Sequence, residues 1–303
     1  MKPRVWINAE ESRHGGLAAA VTGGGGVVSS PETADAIVWA RDDPPSIRPH
    51  LGERVRWVQL ASAGIEDWFG ADVIARERIW TGAQGVYGDV IAEYCVGMLL
   101  AGVRRFPAAL RSSTWTPQAP GRFAGCTVAI IGAGGIGRAL TRLLVRLDVR
   151  VIAVTRRGSE VPGAERSVAA DAVDEIIALS DAVVLAAPVT PDTVGPISAD
   201  RLERMRPGAL LVNVGRGRLV DTDALVAALR TGRLGGAFLD VTEPEPLPDD
   251  HPLWSLPNAV VTSHSANTQA LGATAFAERV RENVRRFASG DELLGIVDPD
   301  AGY

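Results

Sequence analysis

The segment CTVAIIGAGGIGRALTRLLVRLDVRVIAVTRR, Cys126 to Arg157, constrains the fold more than any other stretch of the chain. It opens with an apolar run fit for a buried strand, turns through glycines, continues with apolar residues at helical spacing and closes on a second apolar run. Strand, turn, helix and strand within about 30 residues make one βαβ unit with parallel strands. Parallel strands need cover on both faces, so the rest of the chain has to supply more helices. The stretches DEIIALSDAVVLAAP, RMRPGALLVNV, DTDALVAALRTGRLGGAFLDV and NAVVTSH continue the alternation.

The turn itself, GAGGIG from Gly132 to Gly137, matches G-x-G-x-x-G in the strand-to-helix setting that gives the motif its meaning. Gly132 makes the tight turn, Gly134 lets backbone approach a pyrophosphate, and Gly137 lets helix and strand pack closely. Gly135 and Ile136 start the helix, whose N-terminus faces the anion. A dinucleotide is the expected ligand. About 20 residues further on, such a site usually places an acid that accepts from the ribose hydroxyls. Here the stretch VIAVTRRG puts Thr155 in that place, followed by Arg156 and Arg157. Loss of the acid together with gain of two cations points to a 2′-phosphate, hence to NADPH as the preferred cofactor with NAD as the alternative. Solvated strand-end charges are the other reading of the two arginines.

The first ninety or so residues alternate short β-like runs (Arg4 to Ile7, Ala36 to Ala40, Val55 to Leu60) with polar connections, a second α/β unit. TGGGG, Thr22 to Gly26, lacks the strand-then-helix framing and reads as a surface turn. Apolar residues recur at helical spacing from Gly88 to Phe106 and from Thr268 to Phe287. The expected fold is α/β, two Rossmann-like doubly wound parallel-sheet domains, with the nucleotide domain inserted into the substrate domain. Residues 1–96 and 269–303 would form the substrate domain and residues 97–268 the dinucleotide-binding domain, with the two helical stretches as crossings.

Composition narrows the partners. A net charge of −5 over 303 residues, with no basic block, carries no electrostatic footprint for nucleic acid. The longest apolar helical stretch, VIAEYCVGMLLAGV, contains Glu93 and falls short of the roughly 20 residues that span a bilayer, so it reads as a core helix. Acidic and polar residues follow closely on the N-terminus, ahead of any signal-like apolar run, which points to the cytoplasm. Cys95 and Cys126 belong to no closely spaced ligand set and read as free thiols, with no metal site.

Three further stretches set polar side chains at strand ends: VNVGRGRLVD with Arg216, LDVTEPEPLP with Glu243 and Glu245, and VVTSHSAN with His264. Together with AAPVTPDTVGPIS, MRPGALLVNVGRGRLVD and FLDVTEPEPLPDDHPLW, in that order, they resemble the NAD(P)-dependent D-2-hydroxyacid dehydrogenase family from about Gly85 to Val297. Before that the match is weak apart from ASAGIEDW, which looks like the family's substrate-carboxylate loop. The resemblance implies a hydride transfer between NADPH and a small 2-oxo or 2-hydroxy acid, with glyoxylate or hydroxypyruvate as the suggested range. It assigns Arg216 as the catalytic arginine, His264 as general acid and base, and Glu245 as the acid that orients the ring and favours its protonated form, with Glu243 as competitor for that last role. Ala63 and Gly64, with Arg216, would hold the substrate carboxylate. Pro188 and Asp240 join the cofactor residues, turn stabilisation being the alternative use of Asp240. Ser263 stands where the family usually has proline, and Asn267 ends a segment more often closed by small or aromatic residues. Trp39 and Trp68 are candidates for the pocket or for packing, and Tyr87 for a substrate or nicotinamide contact. The family also implies a homodimer paired through the nucleotide domain, with the region from Gly88 to Gly125 as an arm. The alternatives are an NAD-linked dehydrogenase of another hydroxy acid and a nucleotide-sensing, corepressor-like regulator.

Overall fold

The computed structural model describes residues 2–189 and 197–299. Its chain forms two units, residues 1–87 with 268–303, and residues 88–267. The first crossing therefore falls nine residues earlier than position 97, and the second one residue before 269. The reason is packing: Ala92, Cys95 and Leu99 lie in one cluster with Ile130 and Leu140, so the helix carrying them belongs wholly to the second unit.

In the first unit, β1 (Arg4–Asn8), α1 (Glu11–Gly23), β2 (Val27–Val28), β3 (Ala36–Trp39), β4 (Trp57–Leu60), α2 (Glu66–Gly70) and β5 (Ile79–Thr81) follow in chain order. The five strands are all parallel in the order β2-β1-β3-β4-β5, a doubly wound sheet whose order reverses beside β1. Strands β3 and β4 are buried along their whole length, as central parallel strands must be.

The second unit begins with α3 (Gly88–Val103) and α4 (Phe106–Arg111), and then runs β6 (Thr127–Ile131), α5 (Gly135–Val145), β7 (Arg150–Val154), β8 (Arg166–Val168), α6 (Val173–Leu179), β9 (Ala182–Leu185), α7 (Ala199–Arg204), β10 (Leu210–Asn213), α8 (Thr222–Arg230), β11 (Gly236–Leu239) and β12 (Ala259–Val261). Its seven strands are parallel in the order β12-β11-β10-β9-β6-β7-β8. The order reverses between β6 and β9, which is where such sheets open a ligand crevice at the carboxyl ends of their strands. Successive residues of β6 feed opposite faces, Val128 and Ile130 into one core cluster and Ala129 into the other. Truncating one of the fully buried leucines, Leu99 or Leu140, would cost about 2–5 kcal/mol. The side chains of Asp221 and Ser198 cap α8 and α7 by accepting from Ala224 N and Arg201 N.

The last helix, α9 (Gln269–Ser289), returns to the first unit, capped by Thr268 at its start and by Gly290 at φ 81° at its end. Its Phe276, Val280 and Val284 pack with Leu17 and Val21 of α1. This packing explains the glycine run: a Cβ on Gly24 would stand 2.5 Å from Arg281 O, and one on Gly26 2.9 Å from Val284 Cγ1. Asn283 then donates to Gln59 Oε1 at 2.7 Å and accepts from Leu294 N at 2.8 Å, pinning both β4 and the tail to α9. Trp39 and Trp68 are packing residues, fully buried in one cluster with Ile47 and Trp80.

Candidate active site

Gly132 leaves β6 at φ 93°, and a Cβ there would lie 2.4 Å from Ala187 N in the turn after β9. A side chain on Gly137 would press at 3.0 Å on Ile130 Cγ2 of the entering strand. Gly134 differs: it is exposed, with nothing within 4 Å of a Cβ placed on it. Two glycines thus serve close packing and the third leaves backbone open to a ligand. Gly135 and Ile136 form the first turn of α5, where N–H groups have no intrahelical acceptor and attract an anion. Pro188 is exposed directly after Ala187. Most of PVTPDTVGP, residues 190–196, lies outside the described residues.

At the end of β7, Thr155 N donates to Val168 O at 3.0 Å and its hydroxyl to Ser159 O at 3.4 Å. Arg156 and Arg157 follow, both exposed, and the backbone of Arg157 bridges to Ala169. A hydroxyl and two guanidinium groups thus occupy the strand end where an acid commonly stands.

The turns after β10 and β11 meet. A Cβ on Gly217 would come within 1.9 Å of Thr242 O, so only glycine lets the chain that carries Arg216 lie against the one that carries the two glutamates. Half-buried Arg216 donates from Nη1 to Gly215 O at 2.7 Å, and its own carbonyl accepts from Asn213 Nδ2 at 2.9 Å. Glu243 turns to Arg218, Oε2 to Nε 3.3 Å. Glu245 turns to the histidine: its Oε1 lies 2.5 Å from His264 Nδ1, and its Oε2 accepts from Thr242 N at 3.4 Å. The structure thus separates two acids that sequence spacing leaves as competitors.

The histidine turn is held by Asp240. Ser263 and His264 have φ of 51° and 55°, left-handed values that cost residues with a Cβ about 1 kcal/mol each. His264 N donates to Asp240 O at 2.7 Å; Thr262 Oγ1 and Ser265 N reach Asp240 Oδ1 at 2.8 and 2.7 Å, and Ala266 N reaches Oδ2 at 3.0 Å. Asp240, only 4% exposed, is therefore seen in the turn-stabilising use of its carboxylate. Proline, fixed near φ −65°, is incompatible with the conformation of Ser263, which gives the departure at that position a physical meaning. Asn267 Oδ1 is buried with no partner among the described residues.

In the first unit, Ala63 and Gly64 lie in the loop between β4 and α2, with Ala63 exposed. Tyr87 is a neighbour of that loop, its hydroxyl donating to Ala61 O at 2.7 Å, and burial pushes its phenol up to about 12. Cys95 and Cys126 are both free thiols, and burial pushes Cys95 up to about 12. No group of three or more metal-ligating side chains occurs among the described residues, and no helix among them is long and apolar enough to cross a membrane. Two polar residues escaped the sequence reading: Tyr94 and Thr262, whose hydroxyls meet across 168 positions. No local spacing signals such a pair.

The description "D-isomer specific 2-hydroxyacid dehydrogenase, NAD binding domain" matches residues 96–266. A Corynebacterium melassecola chain described as an uncharacterized protein in the proB 3′ region is 38% identical, covering 100% of this chain and 99% of its own length. The glyoxylate reductase/hydroxypyruvate reductase of Mus musculus is 32% identical over 81% of this chain and 75% of its own. Among solved structures, a D-isomer specific 2-hydroxyacid dehydrogenase from Xanthobacter autotrophicus in complex with NADPH and MES superposes with a TM-score of 0.86 at 29% identity, covering 100% of both chains. The chain belongs to the D-isomer specific 2-hydroxyacid dehydrogenase family. It is thereby an NAD(P)-dependent oxidoreductase acting on the CH–OH group of 2-hydroxy acids.

Proposed function

We propose that this chain is a cytoplasmic, homodimeric reductase of small 2-oxo acids, glyoxylate or hydroxypyruvate, with NADPH preferred over NADH. The observation that carries the reading is the contact between Glu245 Oε1 and His264 Nδ1, which commits one ring nitrogen and leaves Nε2 for a substrate oxygen. The preference for NADPH is supported by the acid-free end of β7 with Arg156 and Arg157, and by the NADPH bound in the Xanthobacter relative. Gly134, with open space over its backbone, fits the approach of a pyrophosphate, with Gly132, Gly135, Ile136, Gly137 and Pro188 around it.

The nicotinamide, when bound, supplies the hydride that reaches the carbonyl carbon of the 2-oxo acid. The planar fork of Arg216 spans the carboxylate and ketone oxygens of the substrate. His264 donates a proton from Nε2 to the carbonyl oxygen as negative charge develops there, so that the 2-oxo acid leaves as the 2-hydroxy acid. Glu245 holds the opposite nitrogen and keeps the ring oriented for the transfer. In the reverse direction the neutral ring accepts the hydroxyl proton.

The homodimer is supported by the segment after α3, where Phe106, Leu110 and Trp115 are 53%, 86% and 97% exposed. Residues 1–87 with the C-terminal helix serve as the substrate domain and residues 88–267 as the nucleotide domain. The deciding experiment is the initial rate of NADPH and of NADH oxidation by the purified protein with glyoxylate, hydroxypyruvate, pyruvate and longer 2-oxo acids. Turnover with NADPH favoured is the expected result. Preference for NADH removes the phosphate reading of the arginines, and absence of turnover with every acid removes the reductase.

A further inference from the structure

We propose that Tyr94 and Thr262 are positioning residues for His264, acting through the carboxylate of Asp240. The inference rests on the reading of His264 as the proton donor, and it adds two side chains to which that reading gives no task.

A left-handed pair of residues such as Ser263 and His264 does not hold itself, because the conformation is unfavourable for any residue with a Cβ. What holds it is Asp240, whose backbone carbonyl accepts from His264 N and whose buried carboxylate takes the donors on either side of the pair. Asp240 forms no ion pair among the described residues, so its charge is compensated by hydroxyl and backbone donors, all drawn from residues 262–266. Thr262 Oγ1 is one of those donors, and a hydroxyl has one proton to give. With that proton committed to Asp240, the oxygen of Thr262 is left as an acceptor, and the hydroxyl of Tyr94 from α3 fills it. The direction of the chain is thereby fixed: Tyr94 donates to Thr262, Thr262 donates to Asp240, and Asp240 accepts from the backbone that flanks the histidine.

Each member suits its place. Burial pushes the Tyr94 phenol up to about 12, so the group remains a donor at neutral pH. Burial, and then the charge of Asp240, push the neighbouring Cys95 thiol up to about 12, so no second anion forms under the turn. Tyr94 sits on α3, which packs in the core cluster of Leu99, Ile130 and Leu140. The helix therefore gives Thr262 a rigid reference, and the orientation of Thr262 decides how Asp240 meets Ser265 N and Ala266 N. Removing the Tyr94 hydroxyl leaves the oxygen of Thr262 without its donor, and removing the Thr262 hydroxyl breaks the chain at its centre.

The test uses the full-length protein with Tyr94→Phe, Thr262→Val and Thr262→Ser. Three quantities are measured: kcat and KM for glyoxylate with NADPH, the Kd for NADPH by nucleotide fluorescence, and the imidazole carbon-bound proton signals, with that of His264 assigned from its loss in His264→Gln. Tyr94→Phe and Thr262→Val are expected to lower kcat about 10-fold while KM and the NADPH Kd stay within about twofold, and to move the His264 signal. Thr262→Ser, which keeps the hydroxyl, restores both the rate and the signal. Unchanged kcat and an unmoved signal in Tyr94→Phe would overturn the proposal, even if Thr262→Val fails to fold. The signal is read without turnover, so a displaced His264 resonance in a protein that reduces no 2-oxo acid would sink the reductase reading and leave the positioning role standing.

Discussion

Glu245 Oε1 lies 2.5 Å from His264 Nδ1, while Glu243 pairs with Arg218 at 3.3 Å. The two acids stand on either side of one proline in the TEPEP sequence, Thr242 to Pro246, yet take different partners. Charge removal at the two acids therefore has unequal effects. Glu245→Gln lowers kcat about 100-fold, because the ring loses the carboxylate acceptor that orients it. Glu243→Gln stays within about twofold, since it belongs to an exposed ion pair worth at most about 1 kcal/mol. Steady-state kinetics of the two variants decide it: equal losses would mean that the contact with His264 carries no catalytic weight.

Ser263 offers a sharper test of the turn. Its φ of 51° is open to glycine and closed to proline. Ser263→Gly is expected to keep the rate within about threefold and to raise stability by up to about 1 kcal/mol, the strain removed being partly offset by the freer unfolded chain. Ser263→Pro forces the residue out of this conformation and breaks the contacts of His264 N and Ser265 N to Asp240, with a loss of at least about 10-fold in kcat. A fully active proline variant would show that the turn can hold His264 in another backbone geometry.

The doubly wound nucleotide sheet was legible because each strand, glycine turn and helix follows its neighbour within a few residues. Arg216, Glu245 and His264 were legible as strand-end polar residues within distinctive motifs. What sequence left hidden depends on distant residues meeting. The glycines at positions 24 and 26 are required by Arg281 and Val284, and nothing near Thr22 announces α9. Likewise Asp240, Thr262 and Tyr94 form one chain from three separate elements. The unit boundary at Gly88 was misplaced because α3 is apolar enough to serve either core, and only its packing against β6 and α5 assigns it.

Replacing both arginines after β7, Arg156→Ala with Arg157→Ala, separates the two cofactors. Each charge-assisted contact to a phosphate is worth about 1.5–3 kcal/mol, which corresponds to about 10–100-fold in affinity. KM for NADPH is expected to rise by at least that factor, while KM for NADH, which has no 2′-phosphate, moves less than about threefold. Equal changes for the two cofactors would show that the arginines do not read the phosphate.

Glu282 contributes to the acid response of the first unit. Hydrogen bonds from Arg285, at 2.9 and 3.0 Å, and from Arg286 at 2.7 Å hold its carboxyl at about 2, below the ordinary 4.5. The same arginines reach Asp291 and Glu292 O, so the acid organises the end of α9 and the chain leaving it. A carboxyl whose pKa is lower folded than unfolded stabilises the fold in its ionised state. That contribution is complete above the unfolded value and disappears as pH falls from about 4.5 towards about 2. Thermal unfolding of the native protein and of Glu282→Gln, followed from pH 7 down to about 3, should show the native protein ahead at neutral pH and the gap narrowing below about pH 4.5. The gap remains small because the ion pairs are exposed to solvent. A gap of constant size across that range would mean that Glu282 acts through packing alone, and a gap that widens in acid would reverse the sign assigned to its ionisation.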